Sequence, residues 1–466
     1  MAAIEKFLLP IVQTINAYMS DYILIFLLVG AGLYFSFRTK FVQIRCFGEG
    51  FKRVFGGIFK KGENKNGLSS FQALATAIAA QVGTGNIVGA CGAILVGGPG
   101  AIFWMWVIAF FGMATIYAEA TLAQETRIVK ENGEVLGGPV YYIKKAYKGA
   151  FGKFLAVFFA VAITIALGFI GSMVQSNSIA GSMETAFGIP TWVIGAILAI
   201  ICAFIFIGGI KRIAAVAEKI VPLMAVIYLV VGIIVLVINI KAIPETIGMI
   251  FKFAFTPQAL LGGTMGAAIK AAISQGAKRG LFSNEAGMGS TPHAHAQADV
   301  KKPHDQGVVA MIGVFVDTFV VLTITALVVI STLYANGGPL GTAEGLAATE
   351  LTKGNLMQTA LGTALGNEAV GNIIVAVCLA FFAFTTIISW NFFGKQNVEY
   401  LFGKKATIVY SVIAILFIFG GSLFQNDLVW ELADMFNNIM VIPNVLALIP
   451  LGYIVAKCAK SNKQDK

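Results

Sequence analysis

Between Leu68 and Gly98 the chain reads LSSFQALATAIAAQVGTGNIVGACGAILVGG, apolar enough to cross a bilayer yet with Gln81, Gly83, Thr84, Gly85 and Asn86 at its centre. Glycine gives up helical order cheaply, and amide or hydroxyl groups at mid-depth are costly unless they bind something. The pattern predicts a helix broken within the membrane, whose freed N–H and C=O groups and exposed ends form sites for a carboxylate and a cation. A close-packing face is the competing reading. Gly83, Gly85 and Gly89 fit it, whereas Gln81, Thr84 and Asn86 favour a site. Two further groups offer related chemistry. Ser274, Gln275 and Gly276 interrupt an apolar stretch between Ala259 and His295, where unwinding would expose carbonyls; SNEAGMG, from Ser283 to Gly289, is the alternative break. Thr385 and Thr386, with Ser389 and Trp390 one turn on, offer hydroxyls for a dehydrated monovalent cation, or hydroxyls that bond their own helix. Asp317 lies deep in an apolar span, where an acid serves a cation or pairs with a residue such as Lys270; Asn86 either helps an ion or ties down unwound backbone.

These residues sit in a chain of 466 residues that is 58% apolar and 12% charged, with mean hydropathy +0.83. Soluble domains carry about twice that charged fraction, so this is a polytopic all-α membrane protein. Lys and Arg outnumber Asp and Glu by 33 to 23. The basic residues occupy short runs between apolar spans, which marks topology and excludes nucleic acid as a partner. Five scattered cysteines lack metal spacing, and His293-x-His295 is too weak a pair to predict a transition-metal site. No GxxxxGK[ST] phosphate loop and no supported nucleophile, base or metal constellation occurs, so neither direct ATP coupling nor an enzyme is expected, and no cofactor. A repeated filter of the kind a channel uses is also missing.

Eleven spans account for the hydropathy. The first is expected at about Tyr22 to Phe37, with residues 1–20 outside the main bundle. The broken segment is second, and the seventh is the interrupted stretch after Ala259. The eleventh runs from Val429 to Ile454 with a kink at Pro443 or Pro450. With the first loop inside, 28 basic residues fall on cytoplasmic loops and tail, among them Lys278 and Arg279, and four on the other side. The amino terminus is therefore expected outside and the carboxyl terminus in the cytoplasm. Setting the first span aside leaves ten, of which the first and sixth are the interrupted ones. Five is odd, so two tandem units of five lie in opposite orientation: an inverted 5+5 repeat with discontinuous helices at its midplane. The chain then divides into an N-terminal helix and basic loop (1–66), a first repeat (67–240), a second repeat (241–456) and a tail (457–466).

GGPGAIFWMWVIAFFG from Gly97 to Gly112 resembles the signature of the sodium:alanine (alanine or glycine:cation) symporters, as do QVGTGNIVGA from Gln81 and LFSNEAGMGSTPHAHA from Leu281. The resemblance covers essentially the whole chain. It implies a sodium-coupled symporter of the plasma membrane, embedded in lipid, that takes up a small neutral amino acid such as alanine or glycine by alternating access. A proton-coupled or broader neutral amino-acid transporter, and more remotely an ion channel, stay open at this point, as does oligomeric state. It further implies substrate contacts at Gln81, Gly83, Thr84, Gly85, Ser274, Gln275 and Gly276, with Trp390 capping the cavity. Sodium, the sole metal implied, would meet Thr385 and Thr386 together with the carbonyls of Ala79 and Val82, with Asn86 and Asp317 as further candidates.

Overall fold

A computed structural model describes residues 2–56, 67–424 and 426–461. Lys60, Lys61 and Lys65 of the basic loop, and the tail from 462 onward, lie outside the described residues. The described chain is helical apart from one short hairpin, Ile128–Val129 paired with Val135–Leu136. Among the described residues, six helices are long and apolar enough to cross a membrane: Phe7–Arg38, Gly100–Thr126, Gly149–Phe187, Gly209–Ile238, Pro303–Leu333 and Glu368–Phe402. Two bent pairs bring the number to eight: Ser70–Gln81 with Gly85–Gly97, bent by 46°, and Asp427–Leu448 with Gly452–Lys460, bent by 66°. Thr191–Ile207 and Ala406–Gly421 are apolar but shorter. The protein is thus an all-α polytopic membrane protein. Gly100–Thr126 and Glu368–Phe402 are the most buried of the long helices and Gly209–Ile238 the most exposed.

Local chemistry explains the element ends. Ser69 caps the Ser70–Gln81 helix through a reciprocal box with Gln72, Gln72 N to Ser69 Oγ at 3.0 Å and Ser69 N to Gln72 Oε1 at 3.1 Å. Gly98, at φ 71°, reverses the chain, and Pro99 starts the next helix. Four π-helical turns interrupt otherwise α-helical spans among the described residues: Met19–Leu24, Gly85–Gly89, Thr164–Gly171 and Phe315–Leu322.

Three expectations are corrected. The first helix begins at Ala2 rather than near Tyr22, because the π turn at Met19–Leu24 joins Ala2–Tyr18 to Ile25–Arg38 without a break. Residues 2–20 therefore belong to the bundle, where Asn16 donates to Glu431 Oε2 at 2.6 Å. The eleventh span bends as expected at one of its two prolines: Asp427–Leu448 and Gly452–Lys460 meet at 66° across Ile449–Leu451, which holds Pro450, while Pro443 stays inside the first helix of the pair. Ser274–Gly276 do not unwind but lie within the continuous Met265–Asn284 helix, and the break falls at SNEAGMG, with Glu285, Gly287 and Gly289 all at positive φ. Finally, Lys278 and Arg279 are not loop residues. Both are buried in that helix, with Lys278 Nζ 2.8 Å and Arg279 Nη2 3.1 Å from Asp434 Oδ2 on the Asn426–Leu448 helix. Two cations inside apolar surroundings require such an anion.

Asp434→Asn leaves Arg279 without its counter-charge and Lys278 with only Glu431 Oε2, 3.6 Å away, and a loss of about 3 kcal/mol is expected. Thermal unfolding in detergent measures it, and adding Lys278→Met should recover part of the loss; an unchanged Asp434→Asn midpoint would contradict the account.

Candidate functional site

At Gln81 the first broken helix stops. Val82 closes the last turn, its N–H 2.7 Å from Ile78 O, then leaves helical geometry at ψ 88°. Gly83 N donates to Asn86 Oδ1 at 2.9 Å and Thr84 N to Gln175 Oε1 at 3.1 Å, so two of the freed amides are held by side chains. A Cβ at Gly83 would overlap Thr386 Oγ1, and one at Gly85 would lie 3.0 Å from Ser283 Cα. Glycine is needed here because the unwound segment passes directly against two neighbouring helices. Gln81 Oε1 and Thr84 Oγ1 are buried with no hydrogen-bond partner in the protein. Both atoms therefore keep unused hydrogen-bonding capacity at the break.

The second break faces the first. Gln81 Nε2 donates to Asn284 O at 2.6 Å, tying the two helix ends together. Beyond Asn284 the turn is held by Glu119 of Gly100–Thr126, whose carboxylate accepts from Gly287 N and Gly289 N, both at 2.9 Å, and from Asn444 Nδ2 at 2.6 Å. Asn444 also donates to Gly287 O at 2.9 Å and accepts from the Tyr142 hydroxyl. Glu285 bonds the Ser290 hydroxyl and accepts from Trp390 Nε1 at 2.6 Å. Through Glu285, Trp390 is fixed edge-on to Phe282, and its ring fills the space a Cβ on Gly171 would need.

Asp317 joins the two breaks. It accepts from Asn86 Nδ2 at 2.6 Å, from Ser283 Oγ at 3.0 Å and from Thr318 Oγ1 at 2.8 Å, whereas Lys270 lies over Tyr22. Thr386 Oγ1 donates within reach of Ala79 O, 2.9 Å, and Phe382 O, 3.1 Å, so this hydroxyl meets the carboxyl end of the broken helix. Thr385 faces elsewhere: its hydroxyl is 3.0 Å from Phe382 O and 3.6 Å from Met224 Sδ. Ser274, Gln275 and Gly276 are not brought to the breaks. Gly276 precedes Asn284 by about 12 Å of helix at 1.5 Å per residue, and its missing side chain admits Trp104 and the Ala101 carbonyl. On one flank, Arg279 lies over Trp430 at 4.9 Å and Trp430 packs on Phe282 at 4.9 Å. A separate cavity of about 780 Å³ opens between Leu68, the hairpin and Lys395–Lys404, and no residue of either break lines it.

Sequence reading missed Glu119 and Glu285 as organisers. Glu119 is an acid in a largely apolar run, IYAEATLA, and Glu285 is the one acid of the SNEAGMG break, which is the available signal.

Two facing helix breaks with oriented backbone, buried deep in a polytopic bundle, are the architecture of a secondary transporter rather than of an enzyme. The chain belongs to the sodium:alanine symporter family, whose model matches residues 5–466. It is 41% identical over 457 residues to the sodium/alanine symporter AgcS of Methanococcus maripaludis, covering 97% of this chain and 96% of the relative. It is 38% identical over 464 residues to a probable sodium/glutamine symporter, GlnT, of Bacillus subtilis, covering 99% and 92%. The crystal structure of MhsT in complex with L-phenylalanine superposes with a TM-score of 0.58 over 85% of this chain and all of that one (100%); at 14% identity the likeness concerns the fold.

Glu119→Gln would set an amide NH₂ against a backbone N–H of the second break. A stability loss on the order of 2 kcal/mol is expected, with faster amide exchange confined to residues 285–291. Hydrogen–deuterium exchange that leaves this segment as protected as in the parent would refute the role.

Proposed function

We propose that the chain couples sodium entry to uptake of a small neutral amino acid, alanine or glycine, by alternating access. The observation that carries this reading is the meeting of the Thr386 hydroxyl with the Ala79 carbonyl beside a break that leaves Gln81 Oε1 and Thr84 Oγ1 unpartnered. The substrate carboxylate is assigned to the backbone at Gly83, Thr84 and Gly85, where the amino-terminal end of a helix favours negative charge. Its ammonium is assigned to Gln81 Oε1 and to carbonyls near Asn284, which take over the part expected of Ser274–Gly276. Trp390, held by Glu285, limits the cavity. Sodium is assigned to Thr386 with the carbonyls of Ala79 and Val82. Thr385 is a supporting residue of the same helix, Asn86 binds the unwound backbone from the other side, and Asp317 holds the Asn86 and Ser283 side chains. The names of the relatives, one for alanine and one for glutamine, support sodium coupling and a neutral amino-acid substrate.

The architecture proposed is eleven spans, one N-terminal helix and two inverted five-helix repeats divided at 67–240 and 241–456, in the plasma membrane. The amino terminus is outside and the tail at 457–466 is cytoplasmic. The charge partition supports this orientation even after Lys278 and Arg279 are removed from the cytoplasmic count. A reporter joined after Lys466 should read cytoplasmic, and an external reading would reverse the scheme.

Thr386→Val removes one cation ligand with little change in volume. The sodium concentration for half-maximal alanine uptake should rise about tenfold, equivalent to about 1.4 kcal/mol, and alanine should bind less tightly at fixed subsaturating sodium. Thr385→Val should leave the sodium curve close to that of the parent. Superimposable curves for parent and Thr386→Val would remove this cation site, and strong competition by phenylalanine against labelled alanine would remove the size limit.

A further inference from the structure

Away from both breaks, the only three-residue group among the described residues that pools a thiol, an imidazole and a carboxylate lies where the first basic loop meets the Pro303–Val314 helix. Cys46 and Glu49 stand three residues apart, at the start of the Phe47–Phe55 helix, and so share a face. His304 occupies the first turn of Pro303–Val314 and faces them. One ligand atom from each lies within 4.8 Å of the other two. Cys46 and His304 are 4% and 1% exposed, so the cluster is closed over except at Glu49.

The orientation of the imidazole is the second observation. His304 Nδ1 is 2.7 Å from the Tyr117 hydroxyl, while Nε2 is buried without a hydrogen bond and points at Glu49 Oε2, 3.5 Å away. In the tautomer that donates from Nδ1 to Tyr117, Nε2 keeps its lone pair, which is how metal-binding histidines are held by a neighbouring group. Arg53 occupies the other carboxylate oxygen, Glu49 Oε1, at 3.1 Å, and reaches Asp305 Oδ1 at 2.8 Å. Oε2 is thereby turned inward as a single donor.

We propose that Cys46, Glu49 and His304 bind one zinc ion, with the fourth coordination position open to water. A thiolate, an imidazole and a carboxylate suit a borderline divalent ion, whereas sodium, magnesium and calcium take oxygen ligands. Zinc bonds of about 2.0–2.3 Å put tetrahedral ligands roughly 3.3–3.8 Å apart, so the three side chains close by about 1 Å on binding. The ion would fasten the Phe47–Phe55 helix to the start of Pro303–Leu333. This inference is independent of the substrate and sodium assignments.

The test uses the purified full-length protein in detergent, stripped of metal with a chelator and titrated with Co²⁺, then with Zn²⁺. One equivalent of cobalt should produce a thiolate-to-cobalt charge-transfer band, and zinc should abolish it. Cys46→Ser should lose the band, and His304→Gln should bind zinc more weakly than Tyr117→Phe, which loses the outer hydrogen bond and is expected to weaken binding about tenfold. Zinc should raise the unfolding temperature of the parent but not of Cys46→Ser. Absence of a thiolate band in the parent overturns the proposal without recourse to any variant. So does a band that survives Cys46→Ser, since another cysteine would then be the ligand.

Discussion

Unwound backbone inside a membrane bundle must find a partner for each N–H and C=O, and this protein has two such stretches pressed against each other. The surrounding structure supplies those partners from distant parts of the chain. Gln175 and Asn86 take the amides of Thr84 and Gly83, and Glu119 takes those of Gly287 and Gly289. Gln81 closes the pair by donating to the Asn284 carbonyl. A carboxylate in this role is stronger than a neutral acceptor because its hydrogen bonds are charge-assisted. The two breaks are consequently joined into one hydrogen-bonded unit.

The same demand explains what could be read from the sequence. The first break was legible because its glycines, Gln81, Thr84 and Asn86 are contiguous, so the weak helix and the polar groups that use it occur in one window. The second was misplaced by about ten residues. Ser274, Gln275 and Gly276 look like an interruption, yet Gly276 is small so that Trp104 and the Ala101 carbonyl can approach. The real break is stabilised by Glu119 and Asn444, more than 150 residues away on either side, and no local pattern announces them.

Charge was misread for a similar reason. Lys278 and Arg279 resemble a loop marker until Asp434 is brought beside them by tertiary packing. Thr385 and Thr386 are equivalent in sequence, but adjacent residues on a helix point about 100° apart. Only Thr386 meets the broken helix; Thr385 returns to its own carbonyls. Family likeness reached the fold and the chemical class, while side-chain direction had to come from the packed helices.

The π turns described above carry a consequence for numbering in space. The three that lie inside continuous helices, Met19–Leu24, Thr164–Gly171 and Phe315–Leu322, each widen a turn, and one residue added in this way shifts everything after it by about 100° relative to an uninterrupted α-helix. A helical wheel drawn through Gly149–Phe187 is therefore two wheels out of phase, joined at Thr164–Gly171. Gln175 reaches Thr84, and Asn177 reaches the Gly421 carbonyl, only on the second of these wheels. Loss of a single residue at the join would leave a span of nearly the same length and hydropathy, still fit for the bilayer, but with its polar stripe rotated away from its partners. The chain thus stores phase information in residue count, and a one-residue gap there weighs more than a nonconservative exchange on the lipid-facing side.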